Sequence, residues 1–125
     1  MIAKQRIGIV GAGMMGHGIA KNLVEKGFPL AVHGHRSRAP IDDLVGRGAT
    51  EVKTNADLAR ASDIVILCVT GAPPVAEVMF GPEGVASAAR PGTIVVDTST
   101  SEPATTAKMR EALAKQDVRF VDAPL

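Results

Sequence analysis

Short apolar runs alternate with amphipathic stretches along the whole chain, and this alternation constrains the fold more than any other feature. The predicted strands are residues 6–10, 30–33, 50–53, 63–69, 93–97 and 118–122. The predicted helices are residues 14–26, 40–47, 56–60 with Asn55 as cap, 74–80 as a weak helix, and 103–115. Short connections between alternating strands and helices predict an α/β domain: a doubly wound, mostly parallel sheet with helices on both faces.

Size and composition exclude several classes of protein. The chain has 125 residues, 46% of them apolar, which suits one cored domain. It contains no apolar run of about 18 residues, as a membrane span requires. A single cysteine excludes a disulfide framework or a cysteine-based zinc site, and no metal is expected. The net charge of +1 and the 2% aromatic content argue against nucleic-acid binding. We expect a cytoplasmic protein.

A glycine-rich turn follows the first predicted strand and opens the first predicted helix. It reads Gly11-Ala12-Gly13-Met14-Met15-Gly16, the G-x-G-x-x-G pattern in the context that gives it meaning. The first glycine allows a tight turn, the second lets a diphosphate approach the backbone, and the third allows helix and strand to pack closely. The free amides at the helix start would bind the phosphates. This segment predicts dinucleotide binding.

The segment after the second predicted strand bears on which dinucleotide is bound. An NAD-preferring domain places a carboxylate there, but no acid occurs between Glu25 and Asp42. The segment instead contains His35, Arg36 and Ser37, which could bind a 2′-phosphate. Residues 1–40 also carry six bases against one acid. These features predict NADP as the cofactor, with NAD possible and a solvated basic loop as the alternative.

Several further motifs occur in a fixed order along the chain. They are Ala20-x-Asn22-Leu23, Ser62-Asp63-Ile64-Val65, Val75-x-Glu77-Val78, Gly81-x-x-Gly84, Pro91-Gly92-Thr93, Asp97-Thr98-Ser99-Thr100 and Asp122-Ala123-Pro124. Together with the glycine turn, they resemble the β-hydroxyacid dehydrogenase family, which includes 3-hydroxyisobutyrate dehydrogenase, tartronate semialdehyde reductase and the 6-phosphogluconate dehydrogenases. The resemblance implies a Rossmann-type NAD(P)-binding domain over residues 1–125.

The resemblance also implies roles for single residues. Val69 and Thr70 match the family's loop against the riboses of the cofactor, although Thr70 departs from a common proline. Thr100 matches a cofactor-contacting position beside the nicotinamide, and Ser99 is a candidate substrate contact. For Ser99 and Thr100, capping of the following helix is the alternative. Asp97 and Asp122 are expected to fasten strand ends rather than transfer protons.

The resemblance places the rest of the machinery outside these residues. Family members carry a Ser-Gly-Gly substrate loop, a catalytic lysine and a helical second domain after Asp-Ala-Pro. No lysine of this chain lies in the family's lysine motif, so no catalytic residue is assigned. The expected activity of the full enzyme is NAD(P)-dependent hydride transfer to or from a small β-hydroxy acid or its semialdehyde, in a homo-oligomer.

Three alternatives stay open at this point. An imine reductase shares the motifs of the first domain but lacks the lysine. A non-catalytic nucleotide-binding module could keep the fold without the chemistry. A methyltransferase that uses S-adenosylmethionine also has a glycine-rich turn, but it favours an acid where this chain is basic.

Overall fold

In the computed structural model, six strands form one sheet and helices pack on both of its faces. The structure describes residues 5–10, 14–33, 38–68, 78–98 and 103–122. The strands are β1 (Ile7–Val10), β2 (Leu30–His33), β3 (Thr50–Val52), β4 (Ile64–Leu67), β5 (Ile94–Asp97) and β6 (Arg119–Asp122). The helices are α1 (Met14–Glu25), α2 (Arg38–Gly46), α3 (Asn55–Arg60), α4 (Val85–Ala88) and α5 (Pro103–Ala114).

The strand order is β3-β2-β1-β4-β5-β6, and all neighbouring strands are parallel. The chain builds outward from β1 to β3, crosses back through α3, and then builds outward again from β4 to β6. The direction of building therefore reverses between β1 and β4. The predicted fold class is confirmed, and such a reversal is where open α/β sheets bind ligands.

Two apolar layers cover the two faces of the sheet. On one face, side chains of β1 and β2 pack against α1 and α2; the buried members are Ile7, Ile9, Ala20, Leu30, Val32, Ile41, Leu44 and Ala49. On the other face, the strands pack against α3, α4 and α5; among the buried members are Leu58, Val65, Leu67, Val85, Val95, Met109, Leu113 and Phe120. The first layer places α1 and α2 side by side.

Gly8 lets the crossover helix α3 pack directly against β1. A Cβ atom at Gly8 would lie 2.5 Å from Cδ2 of Leu58 and closer still to Oγ of Ser62. Both neighbours are fully buried, and the Ser62 hydroxyl donates to the Leu58 carbonyl over 2.6 Å. Only a residue without a side chain fits here, so this glycine fixes the distance between the sheet and α3.

Several predicted boundaries differ from the structure. The cap of α3 is Thr54, whose hydroxyl accepts from the Asp57 amide over 3.0 Å; the prediction of Asn55 was wrong because Asn55 already lies in the first turn. Helix α2 starts at Arg38 rather than Pro40, since a proline fits anywhere in a first turn. The short α4 was not predicted. Of the predicted helix 74–80, residues 78–80 are helical and the rest lies outside the described residues.

The edge strand β6 leaves apolar surface exposed. Val121 is 45% exposed, and its sheet neighbour Val96 is only partly buried.

No helix in the described part of the chain combines the length and the apolar character of a membrane span.

Candidate functional site

The carboxyl ends of the strands lie in a row at one edge of the sheet. Val10 is the register partner of both His33 and Leu67, and Leu67 is also the partner of Asp97. The predicted binding segments follow these residues in the sequence, after one further residue in the case of β2, β4 and β5. The strand register therefore starts all four segments from the same edge of the sheet.

The described residues include only part of the predicted site. Met14, Met15 and Gly16 form the start of α1, as predicted. The other predicted contacts lie outside the described residues: Gly11, Ala12, Gly13, His35, Arg36, Ser37, Val69, Thr70, Ser99 and Thr100. Their roles stay predictions, and the structure supplies the frame from which they extend.

Cys68 and Thr98 fasten the end of the sheet where the strand order reverses. The Cys68 amide donates to the Val10 carbonyl, and the Thr98 amide donates to the Leu67 carbonyl, each over 2.9 Å. The Thr98 hydroxyl donates to the same Leu67 carbonyl over 2.7 Å and lies 3.0 Å from the Cys68 sulfur. Since the hydroxyl hydrogen is already engaged, the thiol is the donor in the second contact.

This pair was missed from the sequence. In the sequence, Thr98 is only one member of the motif Asp97-Thr98-Ser99-Thr100, and the single cysteine only excludes a disulfide framework or a cysteine-based zinc site. The signal that could have found the pair is positional: Cys68 lies near the end of the predicted strand 63–69, and Thr98 directly follows the predicted strand 93–97. Because neighbouring parallel strands end at one edge, such residues become neighbours across the sheet.

His33 and Asp97 sit at the ends of their strands in structural roles. His33 Nδ1 donates to the Val52 carbonyl over 3.1 Å, which ties β2 to β3. Asp97 is fully buried at the end of β5. The contact of His33 is structural, and the burial of Asp97 is compatible with the expectation that Asp97 fastens the end of its strand.

A network of charged side chains joins α1 to α2 beside the sheet edge. His17 Nε2 lies 2.6 Å from Asp43 Oδ2, and Arg47 Nε donates to the same oxygen over 3.0 Å. Arg47 also donates to Glu25 Oε1 over 3.3 Å. Hydrogen bonds from His17 and Arg47 lower the pKa of the Asp43 carboxyl below its ordinary value. The carboxylate is therefore ionised at neutral pH, and His17 must donate from Nε2.

The described residues at this edge suit an anionic nucleotide. Helix α1 begins at Met14, within the glycine turn, and has no acidic residue in its first turn. Helix α2 begins directly after the basic segment and has none either. A helix start presents unpaired amides and the positive end of the helix dipole, so both starts favour phosphate. Among the described residues, no group of three or more His, Cys, Asp or Glu side chains could hold a metal ion.

A parallel sheet of this strand order, with a glycine-rich turn at its reversal point, defines a dinucleotide-binding domain of the Rossmann class. The sequence profile described as the NAD binding domain of 6-phosphogluconate dehydrogenase matches residues 6–125. The chain belongs to this family.

Two curated relatives match nearly the whole chain. The 2-(hydroxymethyl)glutarate dehydrogenase of Eubacterium barkeri is 37% identical over 96% of this chain. The cytokine-like nuclear factor N-PAC of Xenopus tropicalis is 33% identical over 97% of it. The chain spans only 40% of the first relative and 22% of the second.

Several solved structures also superpose on nearly the whole chain. The 3-hydroxyisobutyrate dehydrogenase of Salmonella typhimurium superposes on 97% of this chain with a TM-score of 0.88 at 28% identity; this chain covers 42% of it. Psf3 in complex with NADP+ and 2-OPP superposes on 91% of this chain with a TM-score of 0.84 at 32% identity; this chain covers 40% of it. An imine reductase of Myxococcus stipitatus, at 23% identity and a TM-score of 0.83, shares the fold; the aligned part is 94% of this chain and 39% of that one.

Proposed function

We propose that this domain binds NADP(H) across the edge of the sheet between β1 and β4, as the cofactor half of an oxidoreductase. The full enzyme would transfer hydride between the nicotinamide and a small β-hydroxy acid or its semialdehyde. The observation that carries the proposal is the position of the glycine turn: it joins the end of β1 to the start of α1 where the strand order reverses.

The residues of this chain would bind and orient the cofactor. The amides that begin α1 would hold the diphosphate, with Gly11 and Gly13 leaving room for it. The segments after β4 and β5, which start from the bonded pair Cys68 and Thr98, would contact the riboses and the nicotinamide. The bound coenzyme supplies the hydride, and the catalytic lysine and most substrate contacts would come from outside these residues.

The preference for NADP over NAD rests on the segment between β2 and α2. This segment has no carboxylate to pair with a ribose 2′-hydroxyl, and it contains Arg36 and Ser37. A guanidinium binds phosphate through paired hydrogen bonds, whereas a carboxylate there would repel it. The relative solved with NADP+ supports the same choice.

Further properties of the whole protein belong to the same proposal. We propose a cytoplasmic location because a single cysteine suits a reducing compartment. We also propose that the full-length enzyme is a homo-oligomer that binds no nucleic acid. The relative that acts on 2-(hydroxymethyl)glutarate, by its name, supports a carboxylate-bearing hydroxy acid as the substrate class.

A second candidate is a nucleotide-binding module that performs no catalysis. The similarity to N-PAC, which is named as a nuclear factor rather than a dehydrogenase, favours it. The two candidates differ in one readout. The oxidoreductase reduces NADP+ when the full-length protein is given short β-hydroxy acids, whereas the module binds the coenzyme and leaves it unchanged.

The experiment that tests cofactor choice is an Arg36→Asp substitution, with dissociation constants for NADPH and NADH measured on the same protein. The expected result is weaker NADPH binding and unchanged NADH binding. Arg119→Asp is the matched control, since it makes the same charge change at the first residue of β6, at the opposite edge of the sheet. Equal losses for both coenzymes in Arg36→Asp would refute the role in binding the 2′-phosphate.

A further inference from the structure

The charged network between α1 and α2 connects two helices that begin at the two predicted phosphate-binding segments. Helix α1 starts at Met14, within the glycine turn, and α2 starts directly after the segment with Arg36 and Ser37. Both helices pack on the same face of the sheet and run in the same direction, because β1, β2 and β3 are parallel. A shift of α2 along α1 would therefore change the distance between the two segments.

Among the described residues, one polar contact lies near each end of α1. His17 lies in the first turn of α1 and contacts Asp43, whereas Glu25 is the last residue of α1 and contacts Arg47. These two α1 residues are about 12 Å apart along the helix, at 1.5 Å per residue. Two contacts so far apart oppose both sliding and rotation of α2 relative to α1, in addition to the apolar layer that the two helices share.

Asp43 connects the parts of this network. Its Oδ2 atom accepts from His17 of α1 and from Arg47, the residue that directly follows α2, and Arg47 also donates to Glu25. The side chains are 29% to 51% exposed, so each pair contributes little to the stability of the fold. The geometry instead indicates that the network acts on the position of α2 relative to α1.

We propose that His17 and Asp43 are positioning residues for coenzyme selectivity. They fix α2, and with it the segment that would bind the 2′-phosphate, relative to the diphosphate-binding turn. This inference rests on the proposed function. It predicts that the network strengthens binding of NADPH, which would contact both segments with phosphate groups, more than binding of NADH, which lacks the 2′-phosphate.

The test compares the wild-type protein with Asp43→Asn and His17→Gln in titrations with NADPH and NADH. In each variant the dissociation constant for NADPH is expected to rise about twofold to fivefold, the size that an exposed ion pair can supply, and that for NADH to stay constant. The double variant should lose no more than Asp43→Asn alone, because both substitutions break the same contact. Asp57→Asn is the control: it makes the same substitution in a more exposed pair, with Arg60 on α3, on the other face of the sheet.

Each outcome decides the inference. An unchanged ratio of the two dissociation constants in both variants contradicts it, whether NADPH and NADH binding both fall or neither does. If the wild-type protein binds NADPH no better than NADH, the proposed cofactor choice fails and this inference fails with it. If the wild type prefers NADPH and the variants keep that preference, only this inference fails.

Discussion

The Cys68 amide donates to the Val10 carbonyl over 2.9 Å, and this bond joins the ends of β4 and β1 where the strand order reverses. The two segments that leave from this point are the glycine turn and the loop with Val69 and Thr70. Thr98, directly after β5, holds the end of β4 from the opposite side, because its hydroxyl bonds both to the Leu67 carbonyl and to the Cys68 thiol. The frame of the proposed cofactor site is thus built by residues that need not touch the cofactor.

Replacing Thr98 with valine tests this frame. The substitution keeps the shape of the side chain but removes the acceptor of the Cys68 thiol and the donor to the Leu67 carbonyl. We expect a loss of about 1 kcal/mol in the free energy of unfolding, measured by urea denaturation, together with weaker NADPH binding. Thr98→Ser keeps the hydroxyl and should behave like the wild type. Full stability and affinity in Thr98→Val would show that these bonds contribute nothing.

Gly8→Ala should destabilise the fold because the new methyl group would collide with Leu58 and Ser62. Overpacking of this kind costs about 1–3 kcal/mol, which thermal unfolding will detect. The matched control is Gly18→Ala, in the middle of α1, where a Cβ atom meets nothing within 4 Å. Because alanine favours helix more than glycine, that control should gain about 0.5–1 kcal/mol. A Gly8→Ala protein as stable as the wild type contradicts the close packing of α3.

The contrast between these two glycines illustrates what the sequence could predict. The glycine turn and the apolar runs specify strands, helices and fold class, because periodicity and turn chemistry act locally. Gly18 lies close to the glycine turn in the sequence, but a Cβ atom there would meet no neighbour within 4 Å. The need for glycine at Gly8 comes from Ser62, which is distant in the sequence and becomes a neighbour only when α3 crosses the sheet.

For the candidate site, the sequence predicts which segments meet, but it does not predict the side-chain contacts around them. Predicted segments share one edge of the sheet because parallel strands end together, which the alternation of elements already implies. The bond between Cys68 and Thr98 and the contact between His17 and Asp43 depend on side-chain geometry across elements. Helical periodicity places His17 on the polar face of α1, but nothing local indicates that its partner lies on α2.

Asp63 should make the stability depend on acid pH. Hydrogen bonds from the side chain and the backbone amide of Arg6 lower the pKa of its carboxyl below the ordinary value for an aspartate. A pKa lower in the folded than in the unfolded state favours the fold while the group is ionised. The contribution is therefore complete above the unfolded pKa of about 3.9 and is lost as the pH falls through the folded value.

Asp63→Asn should remove this dependence. The free energy of unfolding of the variant, measured by urea denaturation at a series of pH values, should fall less steeply than that of the wild type as the medium becomes acidic. The control Glu111→Gln changes an exposed carboxylate on α5 and should keep the wild-type slope. Parallel curves for wild type and Asp63→Asn would mean that the contact with Arg6 does not favour the ionised form.

The binding of NADPH itself tests the central claim most directly. The chain contains no tryptophan, so the emission of the reduced nicotinamide can be followed during a titration without interference from an indole. The account predicts saturable binding well below millimolar concentration. A protein that is folded by circular dichroism and shows no saturation with NADPH at millimolar concentration would contradict it.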